Sequence, residues 1–428
     1  MQYPDDECTF GSPVNTLLHS KPKRRIAGPT LTAQRSTTNA PAIPPQDSLA
    51  ASGQNLHKHF LMPDSTSPAP TPPEANAPKP HVRRPRYSGK NPRRFEEKYK
   101  ELNPARYAKD VAKVIASGKT PAGSHRPIMV AEILEALALQ PGEVAVDCTL
   151  GYGGHARELL ARVAPADGKI RGRLIGLDVD PIEHPKTTAR LRAAGWGEDV
   201  FTSVRSNFAG LPKVLAHYAP EGADAILADL GVSSMQLDDP ARGFTFKTDS
   251  PLDLRLNPSR PPSAADWLAK VSVDDLAAAL DENSDEPNAE VIAQGLVARR
   301  TRTPFTRTRQ LAETIREILQ LHKPSREREN DDTCVRRVFQ GVRIAVNDEF
   351  GVLDLFLRHL PSCLKPGGRV AILTFHSGED RRVKHAFREG VRNGTYASTN
   401  DEVIKAGFEE QRANPRSTSA KLRWAIRA

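Results

Sequence analysis

The chain has 428 residues, enough for two or three domains of ordinary size. Hydrophobic residues make up 38% of it and aromatics 6%, which excludes a chain packed into cores from end to end. The formal net charge of +9 favours a polyanionic partner over acidic proteins or neutral metabolites, although a solvated basic tail gives the same figure.

Residues 1–84 read as a disordered Pro/Ser-rich tail, since "NAPAIPPQ" and "PDSTSPAPTPPEANAPKPHVRRPR" have no helical or strand period. Acids become scarce after Glu7, as in an organellar transit peptide. The opening "MQYPDDECTF" is acidic, however, and has no Arg-rich amphipathic pattern, so a cytoplasmic location is expected and an organelle is the alternative. Residues 85–124 form a strongly basic, partly helical arm, either a linker or an RNA-touching segment.

The pattern then becomes regular. "PIMVAEILEAL" predicts an amphipathic helix with Ile128, Ile133, Leu134 and Leu137 near one face. "EVAVDCTL" follows as a buried strand, "GHARELLARVA" as a helix, "GRLIGLDVDP" as a strand and "IEHPKTTARLRAAG" as a helix in spite of Pro185. "DVFTSVRSNFAGL" reads as a strand and turn, and "ADAILADLGVSS" as a strand ending in acid and glycine. This alternation implies a parallel sheet with helices on both faces, residues 125–242 being the first part of that core. Between 243 and 332 the segments are helical: "SAADWLAKV", "SVDDLAAALDE", "NAEVIAQGLVARR" and "TRQLAETIREILQLH". Ser263 with Asp266, and Ser272 with Asp275, resemble capping boxes with Asp in place of Glu. "VRRVFQGVRIAVNDEFGVLDLFLRHL" reads as helical, and strand character resumes at "GGRVAILTFH", so 243–332 is expected to be a helical insert and 333–428 the second part of the core.

Cys8, Cys148, Cys334 and Cys363 are scattered, with no CxxC pair, which argues against a zinc ribbon or a disulfide framework and for a reducing compartment; no metal is expected. No apolar run is long enough to span a bilayer, so the protein is expected to be soluble and intracellular.

In an open parallel sheet, ligands sit outside the carboxyl ends of the strands, where "DCTLGYGGH" lies. A P-loop needs Gly-x4-Gly-Lys-[Ser/Thr], and no such lysine closes this loop. A dinucleotide fingerprint lacks its third glycine after Gly151, Gly153 and Gly154, which weakens a pyrophosphate reading. Asp147 ends the first strand, Asp178 the second and Asp229 a later one. A carboxylate repels pyrophosphate and attracts an ammonium, so three of them suit a cationic nucleoside such as S-adenosylmethionine, with Asp178 placed to accept the ribose hydroxyls. Taken singly, each is better explained as a helix cap or turn aspartate; together with the loop they favour a methyl donor.

The segments "DCTLGYGGHA", "LIGLDVDP", "ILADLGVSSMQLDDPARGFTF", "DSPLDLRLNP", "FQGVRIAVNDE", "LKPGGRVAILTFHSGEDRRVK" and "NPRSTSAKLR" fall in order and resemble the RsmH (MraW) family. Its members are methyltransferases acting on cytosine N4 in bacterial small-subunit ribosomal RNA. The resemblance covers roughly His125 to Arg427. It implies an α/β, Rossmann-like class I methyltransferase fold with a helical insertion, S-adenosyl-L-methionine as donor, and ribosomal RNA or the small subunit as partner, with a homodimer left open and neither DNA nor membrane expected. It further implies donor contacts from Gly153, Gly154 and His155 in the loop, Asp178 at the ribose, Phe208 near the adenine, and Asp229 with Gln236 completing the pocket. Without it, Phe208 reads as core and His155 as a helix-start histidine. The chain departs from the family pattern at Gly378, where leucine is usual, at Asp331–Val335, and at Thr418 in place of arginine.

Methylating an exocyclic amine requires positioning the nitrogen in line with the donor and an acceptor for the charge developing there. Asp229 is the candidate by position, and His376 in "HSGED", with Ser377, Glu379 and Asp380, is the second; a helix cap explains "HSGED" equally well. A base within folded RNA must be splayed out to react, so an apolar slot is expected, with Phe244 and Phe246 as candidate walls. RNA contact would draw on Arg242, Arg255, Arg299, Arg300, Arg302, Arg307, Arg309 and "PRSTSAKLRWAIR", for which a solvated face is the plain alternative. A methyltransferase of the same fold on a different RNA, and a non-catalytic RNA-binding or ribosome-assembly protein, are the competing functions.

Overall fold

The computed structural model describes residues 127–166, 170–322 and 331–428. The tail and arm expected over 1–84 and 85–124 lie outside them.

The first half builds strand and helix in strict alternation: α1 (Val130–Leu137), β1 (Val144–Asp147), α2 (Gly154–Val163), β2 (Arg173–Asp178), α3 (Glu183–Ala193), β3 (Phe201–Arg205), α4 (Leu211–Tyr218) and β4 (Ala223–Asp229). Pro185 is tolerated because it falls in the first turn of α3, where backbone N–H groups have no intrahelical partner. A short helix α5 (Ser234–Asp238) leads into a helical stretch of α6 (Ala264–Lys270), α7 (Val273–Ser284), α8 (Ala289–Arg300), α9 (Thr308–His322) and α10 (Asp331–Asn347). The chain returns through α11 (Glu349–Cys363), β5 (Leu364–Thr374), α12 (Ser377–Arg392), β6 (Tyr396–Thr399), β7 (Ile404–Lys405), α13 (Phe408–Ala413) and β8 (Lys421–Arg427).

One sheet runs β3-β2-β1-β4-β5-β8-β6, with β7 also on β8. The first five strands are parallel; β8 is antiparallel to both its neighbours. Alternation along the strands feeds two cores. Val146, Ile226 and Ile372 face α4, α11 and α12, whereas Ala145, Leu227 and Leu373 face α1 and α2. A third apolar cluster runs from Phe244 through α6–α9, and α10 adds Cys334, Val335, Val338, Phe339 and Val342 to it, although the second core segment was expected to begin at 333.

Both anticipated caps are present. Ser263 and Asp266 form a reciprocal capping box at α6, and Ser272 Oγ accepts from the Asp275 N–H at 3.0 Å to open α7. The long helix read from Val335 to Leu360 is two helices, because Asp348 takes a left-handed φ of 49° between α10 and α11. The C-terminal "KLRWAIR", assigned to RNA contact, is instead strand β8 in the body of the sheet, with Leu422 and Ala425 fully buried. Its charges obscured it: Arg423 is buried and paired with Asp380, Nε to Oδ1 at 2.7 Å.

Candidate active site

A cavity of about 460 Å³ opens at the carboxyl ends of β1, β2, β4 and β5. The glycine loop forms one wall. Gly151 and Gly153 have φ of 47° and 81°, and a Cβ on Gly153 would stand 2.9 Å from Thr187 Cγ2, so a side chain there is excluded twice over. The loop is pinned from β2 and α3: the Gly151 N–H donates to Asp178 Oδ2 at 2.6 Å, and Thr187 Oγ1 donates to the Gly151 carbonyl at 2.5 Å. Asp178 Oδ1 accepts from the Asp180 N–H at 2.8 Å. Burial raises its carboxyl above the ordinary range, opposed by those two N–H donors.

His155, in the first turn of α2, is buried. Its Nε2 lies 2.9 Å from the Ile128 carbonyl, and its Nδ1 lies 3.5 Å from Asp229 Oδ2. The Asp229 N–H donates to Thr149 Oγ1 at 2.7 Å. Asp229 Oδ1 is buried and has no hydrogen-bond partner among the described residues. Burial raises this carboxyl, His155 opposes the rise and Glu379 adds to it. Asp147 sits behind the loop rather than among the residues lining the cavity. Its Oδ1 accepts from the Thr149 N–H at 3.0 Å, its Oδ2 is unpartnered among the described residues, and burial pushes the carboxyl up to about 6.

Gln236 lines the cavity, but its polar atoms are engaged: Oε1 accepts from the Ser233 N–H at 2.9 Å in a capping box on α5, and Nε2 donates to Asp180 Oδ2 at 2.8 Å. Phe208 both lines the cavity and packs edge-on against Phe356, ring centroids 5.2 Å apart, so the core and pocket readings describe the same side chain. At the end of β5, His376 Nε2 lies 3.2 Å from Glu379 Oε1, and Glu379 Oε2 accepts from the Phe375 N–H at 2.8 Å. Burial would raise the Glu379 carboxyl, but His376, the Phe375 N–H and Arg343 together hold it below the ordinary range.

Several expected contacts lie elsewhere. Arg242 is buried, with Nη1 2.7 Å from Asp180 Oδ2 and Nη2 donating to the carbonyls of Arg255 and Leu256, so it is a structural cation and not a phosphate ligand. Phe244 is buried in the helical cluster and Phe246 packs against Phe339 at 5.4 Å; neither lines the cavity. Arg255 pairs with Asp253, Arg307 with Asp249, and Arg300 donates to the carbonyls of Leu268 and Val271, while Arg302 and Arg309 are exposed.

The opposite wall of the cavity has no counterpart among the residues expected from sequence. Arg343 from α10 binds Glu349 from α11 through two bonds of 2.8 and 2.9 Å, and both line the cavity with Phe350 and Asn347. The separation of six residues matches no helical spacing; the kink at Asp348 brings them together. Arg416, before β8, reaches both oxygens of Asp238 at 3.1 Å on another side of the cavity. Asp180 was not expected either, although an aspartate before proline at a strand end is a helix-cap signal.

The family profile described as "MraW methylase family" matches residues 122–428. The chain is 48% identical over 349 residues to the ribosomal RNA small subunit methyltransferase H 1 of Lachnoclostridium phytofermentans, covering 81% of this chain and 93% of that one. It is 46% identical over 347 residues to the methyltransferase H 2 of Alkaliphilus metalliredigens, with 81% and 97% covered. Against the methyltransferase H 1 of Agathobacter rectalis it is 47% identical over 353 residues, with 82% and 99% covered.

Proposed function

The chain belongs to the MraW methylase family, and from that premise we propose that it transfers a methyl group from S-adenosylmethionine to the exocyclic N4 of a decoding-centre cytosine in small-subunit ribosomal RNA. The observation that carries this reading is Asp229 Oδ1, a buried carboxylate oxygen at a strand end, beside the glycine loop, with no donor of its own among the described residues. A buried acceptor of this kind is costly unless a ligand completes it.

The site's residues fit the methyl donor. The cavity has the volume of a small-molecule site, its loop brings backbone close without a Cβ, and its strand-end acids suit a cation. Bound S-adenosylmethionine supplies an electrophilic methyl on a sulfonium centre. Asp178 presents its carboxylate to the ribose, Phe208 a ring face to the adenine, and Gly154 and His155 line the loop side, while Gly153 is buried behind them and shapes the turn. Gln236 acts indirectly, holding Asp180 and the start of α5 in place.

Cytosine N4 is a weak nucleophile because its lone pair is delocalised into the ring. Asp229 Oδ1 accepts a hydrogen bond from the amine, orients the nitrogen and takes up its proton as the N–CH3 bond forms. His376 lies with Glu379 at the end of β5 and orients the base from that side. The ribosomes acted on are those of the cytoplasm in this reading, with organellar ribosomes the alternative. Two measurements test the reading. Titration calorimetry should detect S-adenosylmethionine binding, and its absence ends the proposal. Mapping N4-methylcytosine on small-subunit RNA from a deletion strain should show the mark lost at a decoding-centre cytosine; an unchanged cytosine points to a different RNA.

A further inference from the structure

With Phe244 and Phe246 packed among the insert helices, the wall for a splayed base has to come from elsewhere. Phenylalanine and tyrosine rings lining the cavity among the described residues are those of Tyr152, Phe208, Phe350 and Phe375. Tyr152 belongs to the glycine loop, where the Arg190 guanidinium lies 3.7 Å from its ring centroid. Phe208 is on the donor side of the cavity. Phe350, in the first turn of α11, stands beside the groups that end β5: its ring is 5.6 Å from that of His376, which contacts Glu379.

Two features fix this ring. Arg382 covers one face, its Cζ 3.7 Å from the centroid, and is itself held by Asp354 and the Gly378 carbonyl. Arg382 does not line the cavity, so the cation backs the ring from outside. The second feature is Gly378. A Cβ built there would stand 2.4 Å from Phe350 Cζ, closer than packed atoms come, and 3.3 Å from its Cε1. Gly378 has an ordinary helical position, so its missing side chain serves the ring and not the backbone.

Resting on the methyltransferase reading, we propose that Phe350 is the wall against which the target pyrimidine packs, and that Gly378 is the seat that admits its ring. The ring is backed by a guanidinium and bounded by Gly378, so it meets the base already in place and spends little conformational freedom on binding. Contact with an aromatic surface tolerates any base, so Phe350 sets orientation and leaves the choice of cytosine to polar groups.

The test measures methyl transfer to unmodified small ribosomal subunits alongside S-adenosylmethionine affinity by calorimetry, for wild type, Phe350→Ala, Phe350→Leu and Gly378→Leu. Phe350→Ala should lower kcat/KM for RNA by about fivefold or more, with donor affinity unchanged. Phe350→Leu, which keeps apolar bulk, should remain impaired, and Gly378→Leu should reproduce the defect by displacing the ring. Intact donor binding shows that a variant is folded. Wild-type activity in Phe350→Leu reduces the ring to packing and overturns the proposal. So does a loss of donor affinity that matches the loss of RNA turnover, or unchanged turnover in Phe350→Ala. A wild-type protein that binds donor yet methylates no ribosomal RNA overturns the underlying reading instead.

Discussion

Asp229 has two oxygens in different surroundings, and that difference defines its chemistry. Oδ2 faces His155 Nδ1 at 3.5 Å, while Oδ1 has no partner among the described residues. The bond from His155 Nε2 to the Ile128 carbonyl places a hydrogen on Nε2, so Nδ1 donates to Asp229 only when the pair carries one further proton. Burial, opposed by His155, raises the Asp229 carboxyl, and its ionised form is therefore a stronger proton acceptor than an exposed aspartate. Asp229→Asn keeps the shape and removes the basicity. Its kcat should fall by about a hundredfold or more, with donor affinity nearly unchanged by calorimetry; equal losses in both would make Asp229 a donor ligand only. In the wild type, single-turnover rates should rise with pH as Asp229 ionises, with a midpoint above the usual aspartate value of about 3.9, and the Asn variant should lose that limb. Asp147 tests stability instead. Its folded carboxyl, pushed up by burial to about 6, keeps a proton that the unfolded chain releases near the ordinary value of 3.8. The folded state therefore binds more protons across that window, and stability drains away as pH rises through it. Relative to wild type, Asp147→Asn should gain stability between about pH 4 and pH 7 by on the order of 1–3 kcal/mol, measured by denaturant unfolding at both values.

Between elements, Asp180 at the cavity is tied to Arg242 behind it. Both side chains are buried, and Asp180 also caps α3 through the Ile182 N–H at 2.8 Å. The pair joins the loop after β2 to the turn before the insert. Arg242→Met strands a buried carboxylate and should cost about 3–5 kcal/mol, whereas adding Asp180→Asn to it should recover much of that loss in the same unfolding assay. Little of this pairing is legible in the sequence, because the partners are 62 residues apart and neither position carries a periodic signal. What can be read is local. The βα alternation follows from apolar runs such as Val144–Val146 bounded by turns, and the caps at Ser263 and Ser272 follow from a spacing of three residues. The strand-end positions of Asp178 and Asp229 follow from the same pattern. Strand β8 cannot be read that way, since a buried Arg423 looks like a surface charge until Asp380 is found across the fold. The Arg343–Glu349 wall depends on a left-handed aspartate, which no periodicity foretells.

At the scale of the whole molecule, the basic character that argued for a polyanion is unevenly distributed. Residues 1–126 hold 20 Lys and Arg against 10 Asp and Glu, while residues 127–428 hold 41 against 42. The methyltransferase region is thus close to neutral, and within it Arg242, Arg255, Arg300 and Arg307 are committed to internal partners. Non-specific attraction to phosphate grows with the number of cations brought to the backbone, so the affinity that depends on ionic strength should reside mainly in the N-terminal segment. Arg86, Lys90, Arg93, Arg94, Lys98 and Lys100 are the Lys and Arg of residues 85–100, which open the basic arm. Replacing all six by glutamine should weaken RNA binding and flatten its salt dependence. Every phosphate no longer neutralised lowers the slope of log K against log salt by about 0.7–0.9, so the change is large enough to read from binding isotherms at several salt concentrations. Donor affinity should not respond, because the residues proposed to hold the donor all lie after position 126. The rate of methyl transfer at saturating RNA should also hold, since saturation removes the contribution of any group that only gathers substrate. If the slope stays unchanged, the phosphate contacts belong to the neutral region after all, and the exposed Arg302 and Arg309 become the cations to replace next.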